Sequence, residues 1–193
     1  MINKLLFSGI VFLVSANICF ANTKKMDMAY ADIINHQGQT IGNAIFKQGS
    51  EGVVIRIKIH NLPEGVHGMH LHEVGDCSDH QRFDSAKEPI VTPERVHGFL
   101  NPDGPLESDL PNLIVAKDGT AHMELYTNMI SIAGVAWKPE LLDNDGSALI
   151  IREHEDDHKS QPVGNAGARI ACGVIAPMQE VNLTPAPTLP KAP

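Results

Sequence analysis

Residues Val53 to His60 alternate strictly in polarity: Ile55, Ile57 and Ile59 fall on one side, Arg56, Lys58 and His60 on the other. A period of two marks a half-buried β-strand, because successive side chains point to opposite faces. Short β-branched runs recur at 29–35, 40–47, 68–72, 113–116, 120–126, 148–152 and 170–175. Asn61-Leu62-Pro63-Glu64-Gly65 and Lys117-Asp118-Gly119 supply turn chemistry between them. Long helical periodicity is absent. Many short strands with frequent turns predict an all-β sandwich or barrel. Two longer stretches, 78–110 and 152–168, read as loops. Long ordered loops on a β scaffold are where sites are usually built.

The ends read differently. Lys4, the apolar run Leu5 to Val14 and a short segment ending in Ala21 have the layout of a secretory signal peptide over residues 1–21. The run is too short to span a bilayer, which takes about 20 apolar residues. Cys19 raises lipidation as an alternative, but Ile18 before it is a poor fit for that processing. The expectation is cleavage near Ala21 and release to the periplasm or the exterior. Residues 22–177 then form one domain, and the proline-rich stretch 178–193 is expected to be a disordered tail. Cleavage moves the formal charge from −8 to −9 and leaves two cysteines, Cys77 and Cys172. In an oxidising compartment such a pair reads as one structural disulfide, the alternative being two buried thiols. The acidic balance argues against nucleic acid and anionic membrane surfaces as partners. No second apolar segment is long enough to span a membrane.

Chemistry concentrates in two blocks. In His67-Gly-Met-His70-Leu-His72, His70 and His72 stand two apart on one strand, so they share a face and could chelate one ion. Imidazole suits copper, zinc, iron or nickel. His67 need not join them. In Gly164-Asn-Ala-Gly-Ala-Arg169-Ile-Ala-Cys172, Arg169 would offer fixed N–H donors to an anion. The other histidines, His36, His60, His80 and His122, read as surface or structural groups.

Together these blocks resemble the copper,zinc superoxide dismutase family, bacterial type. The segment from Gly68 to Cys77 is similar to its first signature and that from Gly164 to Ile175 to its second. Ser108-Asp109-Leu110-Pro111-Asn112-Leu113 and Asp156-Asp157-His158-Lys-Ser-Gln-Pro162 resemble two further family motifs. The resemblance runs from about residue 28 to 177. It implies a Greek-key β-sandwich of about eight strands. It also implies an enzyme that converts superoxide to oxygen and hydrogen peroxide with copper. By position, His70 and His72 are the first two copper ligands. Arg169 docks the anion, Asp109 is the zinc aspartate, and Asp156 orients ligand histidines. Cys77 and Cys172 form the disulfide.

The remaining ligand positions depart from the family. Phe99 stands at the bridging histidine, Pro102 and Leu106 at zinc histidines, and Arg152 at the last copper histidine. Zinc is not expected, since one carboxylate does not make a four-ligand site. Copper is the expected cofactor. His97, two residues before Phe99, and His154, two after Arg152, are candidate substitute copper ligands. The alternative for both is an ordinary exposed histidine. Arg152 beside His70 and His72 would repel a cation and attract an anion. Three functions follow: a dismutase with a rearranged copper-only centre, a copper buffer or delivery protein, or a dismutase-like domain kept for binding another protein.

Overall fold

Alternating polarity becomes a barrel wall. In the computed structural model, which describes residues 27–134 and 137–178, eight antiparallel strands form one sheet. They are β1 (Met28–Asn35), β2 (Thr40–Gln48), β3 (Val53–Ile59), β4 (Gly65–His72), β5 (Asp109–Val115), β6 (Ala121–Thr127), β7 (Ser147–Arg152) and β8 (Arg169–Pro177). The expected leader with Cys19, and the tail beyond Met178, lie outside the described residues.

The strand order is β5-β4-β7-β8-β1-β2-β3-β6. Three hairpin neighbours, β1-β2-β3, continue to β6 on one side and β8 on the other, as a Greek key requires. The first and last strands of that order, β5 and β6, are joined by the Lys117–Gly119 turn, where Ala116 N–H donates to Thr120 O at 2.9 Å. The sheet is thus a nearly closed barrel. Ile55, Ile57 and Ile59 face its interior beside Phe46, Met69 and Leu149, while Arg56 and Lys58 stay exposed.

Two strands start three or more residues before their expected limits, and the reason is local. β4 starts at Gly65 rather than Gly68, and β5 at Asp109 rather than Leu113. Pro111 obscures the start of β5, because proline cannot donate to a ladder. Here it sits exposed, where the register between β4 and β5 slips: His67 pairs with Leu113, but Met69 pairs with Leu110. Two residues therefore oppose Gly68, a bulge that spares Pro111 from pairing. Past the bulge, His70 lies directly opposite Asp109.

β4 is buried on both faces from His67 onward. Met69 and Leu71 point into the barrel core, so His70 and His72 point outward, under the two long loops. A second apolar cluster of Cys77, Phe83, Ala86, Ala148, Ile150 and Cys172 fills the space between wall and loop. The Cys77–Cys172 disulfide bolts the first loop to β8. Replacing both cysteines by serine should lower unfolding free energy by about 2–5 kcal/mol, because the bond closes a sequence separation of 95 residues. Urea titration of the double variant measures it; an unchanged midpoint would mean that loop packing alone holds the segment.

Candidate metal centre

The outward face of β4 meets both loops at one buried carboxylate, Asp156. Gly68 lets the loop come close: a Cβ there would lie 2.9 Å from Ala166 Cβ and 3.1 Å from Asp156 Cβ. Gly164, at φ +61°, leaves the space that the Asp156 carboxylate occupies. Asn112 on β5 braces the same residue, accepting from Asp156 N–H at 3.0 Å and donating to Asp156 O at 2.9 Å. Asn112 stands in the Asp-Leu-Pro-Asn-Leu segment, so a sequence signal for this role existed but named no partner.

Asp156 connects two histidines. His70 Nε2–H donates to Oδ2 at 2.8 Å. His97 Nε2–H donates to Oδ1 at 3.0 Å, and the His158 backbone N–H donates to the same oxygen at 2.6 Å. The other nitrogen of His97, Nδ1, donates to Asp109 Oδ1 at 2.7 Å. Asp109 Oδ2 takes the backbone N–H groups of Gly98 and Leu106 at 2.8 and 2.9 Å. With both nitrogens facing carboxylates, His97 is an imidazolium. Burial alone would lower its pKa, but hydrogen bonds to Asp109 and Asp156 raise it to about 9. Burial likewise works against charge on Asp156, and the bonds from His70 and His97 overcome it and hold its pKa well below the usual carboxylate range.

The far side of His70 faces an arginine. With its proton on Nε2, His70 offers a lone pair at Nδ1, which accepts from Arg152 Nε at 3.3 Å. Arg152 Nη1 donates to Gly167 O at 3.1 Å. Burial, then the neighbouring Arg169, lowers the Arg152 pKa to about 10, so it stays a cation at neutral pH. His70 is depressed mainly by burial and is neutral. His72 is depressed further, by burial and then by Arg169. Its Nδ1 meets Lys87 O at 2.8 Å, and its buried Nε2 has no partner.

The other candidates fall outside this chain of contacts. Phe99, at the expected bridging position, is 42% exposed, and its ring lies 5.0 Å from that of His158. His97 has taken the inward place instead. His154, a candidate substitute copper ligand with an exposed histidine as the alternative, points away: its side chain is 63% exposed and 3.7 Å from Glu153. Backbone bonds decide this, since His154 O accepts from Gly68 N–H and its N–H donates to Ala166 O, both at 2.8 Å. His67 ties strand ends together, with Nδ1 at 2.8 Å from Arg152 O and Nε2 at 3.0 Å from Pro63 O. Arg169 opens β8 and donates from Nη1 to Phe83 O at 2.7 Å. His36, His60, His80 and His122 are exposed.

The potential ligand atoms of His70, His97 and Asp156 all lie within 4.8 Å of one another and are buried. Hydrogen bonds join them at 2.8 and 3.0 Å. Asp109 takes three donors, and Pro102 and Leu106 stand where the resemblance places zinc histidines. A four-histidine copper shell does not fit, because Arg152 stands against His70 Nδ1.

Comparison with known proteins places this geometry. The family model described as copper/zinc superoxide dismutase (SODC) matches residues 40–175. The chain belongs to the copper/zinc superoxide dismutase family. It is 42% identical over 139 residues to superoxide dismutase [Cu-Zn] of Caulobacter vibrioides, covering 72% of this chain and 79% of that one. It is 37% identical over 148 residues to a superoxide dismutase-like protein of Bacillus subtilis, covering 76% and 74%. The crystal structure of a SOD-like protein from Bacillus subtilis superposes with a TM-score of 0.72 at 36% identity, covering 76% of this chain and 97% of that one. Family membership carries copper and zinc as the expected metals and superoxide as the expected substrate; the residues described above are this chain's own version of the centre.

The network makes stability depend on pH. A histidine raised from 6.5 to about 9 on folding stabilises fully below pH 6.5, and that contribution is lost as pH rises through 9. Unfolding free energy should fall by about 2–3 kcal/mol over this window. His97→Gln should flatten the slope. Urea titrations across the window test this; an equal slope in the variant would assign it to other groups.

Proposed function

We propose that this chain is an exported superoxide dismutase-like protein whose copper–zinc centre has been exchanged for a buried network of protons and fixed charges, and that it does not turn over superoxide at a rate typical of the family. One observation carries the reading: Arg152 Nε lies 3.3 Å from His70 Nδ1. A guanidinium has no lone pair for a metal and stays charged at neutral pH. Held against the nitrogen that a copper ion would need, it repels the ion and occupies its ground. The proton between His97 and Asp109 does the corresponding work on the zinc side. Export is supported by the leader-like segment over residues 1–21 and by the disulfide, which persists in oxidising compartments.

A second reading keeps copper. His72 Nε2 is buried and unpartnered, and a swing of Arg152 would free His70 Nδ1 on the same face of β4. Two imidazoles would hold copper loosely, as a buffer or delivery protein does, without the full shell that supports a redox cycle.

Copper titration of the mature protein, followed by a dismutase assay, tests both. Under the first reading, wild-type protein takes up no stoichiometric copper and shows negligible turnover. Arg152→His restores an imidazole and removes the repelling cation, so its copper affinity should rise by about tenfold or more, equivalent to about 1.4 kcal/mol. Stoichiometric copper that is lost in His70→Ala and His72→Ala would favour the second reading. Turnover in wild-type protein matching that of the Caulobacter vibrioides relative would sink the first.

A further inference from the structure

Two arginines face each other where they should repel. Arg152 closes β7 and Arg169 opens β8, and the register pairs them directly across the two strands. Like charges in directly opposed positions destabilise a sheet. Both are largely withdrawn from water, with Arg152 7% exposed and the Arg169 side chain 12% exposed. Both line one cavity of about 240 Å³, together with His36, Gln81, Arg82, Asp84 and Ala168. At ~30 Å³ per water, that is room for about eight waters.

The charges around the cavity do not balance. The interior carboxylates are Asp109 and Asp156, and His97 lies between them. His97 engages both, and neither carboxylate is hydrogen-bonded to Arg152 or Arg169 among the described residues. Asp84 at the rim is engaged by Arg82, Nε to Oδ2 at 2.9 Å. Glu88 comes only to 4.0 Å from Arg169 and is 78% exposed. A buried charge without a partner is costly, so the arrangement gains by taking up an anion.

Donors remain for it. Arg152 commits Nε to His70 and Nη1 to Gly167, and Nη2 has no partner among the described residues. Arg169 commits Nη1 to Phe83 O, and its Nε has no partner among the described residues. Guanidinium groups bind oxyanions through paired N–H donors at fixed angles.

We infer that Arg152 and Arg169 form a two-armed clip for one small inorganic oxyanion, of the class of hydrogenphosphate or hydrogencarbonate. The inference rests on the reading that no metal fills the centre. The second arm is what distinguishes the clip from a lone docking arginine that passes an anion on to a metal. Two fixed cations with no redox partner retain an anion and do nothing further to it.

Isothermal titration calorimetry of the folded mature protein with inorganic phosphate, repeated with hydrogencarbonate, tests the clip. Saturable binding of one ion is expected, weakening as salt rises. Arg152→Gln and Arg169→Gln should each weaken it by about tenfold or more, since each removes charge-assisted hydrogen bonds. Arg56→Gln, on the β3 surface, should leave it unchanged. Absence of saturable binding to either ion, or binding that Arg152→Gln leaves intact, overturns the inference. Should Arg152→Gln fail to fold, Arg152→Lys decides. It keeps the charge but not the fork, so weaker binding supports the clip and unchanged binding overturns it. Metal analysis of the same sample separates the two readings. Stoichiometric copper or zinc overturns the metal-free centre, whereas metal-free protein that binds neither ion overturns the clip alone.

Discussion

The Asp156 carboxylate is the tie on which the site depends. It sits in the second long loop, yet its two oxygens reach His70 on the barrel wall and His97 in the first loop. Three segments far apart in sequence are thereby held to one buried point. A carboxylate in such a place must be paired, because burying an ion without partners costs several kcal/mol. The donors provided by His70, His97 and the His158 backbone meet that demand. Gly68 and Gly164 lie around it because a Cβ at either position would press into the Asp156 residue.

From this tie the charges run outward in alternation: Asp109, His97, Asp156, the neutral His70, then Arg152. A proton joins His97 to Asp109, and a guanidinium stands at His70 Nδ1. These contacts hold both long loops against the barrel wall. The disulfide supports this from outside, by anchoring the first loop to β8 independently of any ion.

Much of this was legible in one dimension. Strand existence followed from alternation, since a half-buried strand must place every second side chain inward. The shared face of His70 and His72 followed from the same period. The limits of β4 and β5 did not, because a bulge spent two residues against Gly68 and hid Pro111 in an unpaired position. The choice between His97 and His154 was equally hidden. Both stand two residues from a position where the resemblance places a ligand, and only backbone bonds to Gly68 and Ala166 turn His154 outward while His97 goes in.

The amino-acid order alone therefore settled the all-β class, the family and the histidine pair on β4. These are properties of residue type and local period, which no packing can alter. What surrounds that pair was decided in three dimensions. Whether Arg152 reaches His70, whether His97 is charged, and whether Arg152 opposes Arg169 all turn on loop closure and strand register. Contacts between residues separated by 59 to 86 positions have no signature in local sequence, because the free energy that forms them comes from burial and charge pairing across the closed barrel.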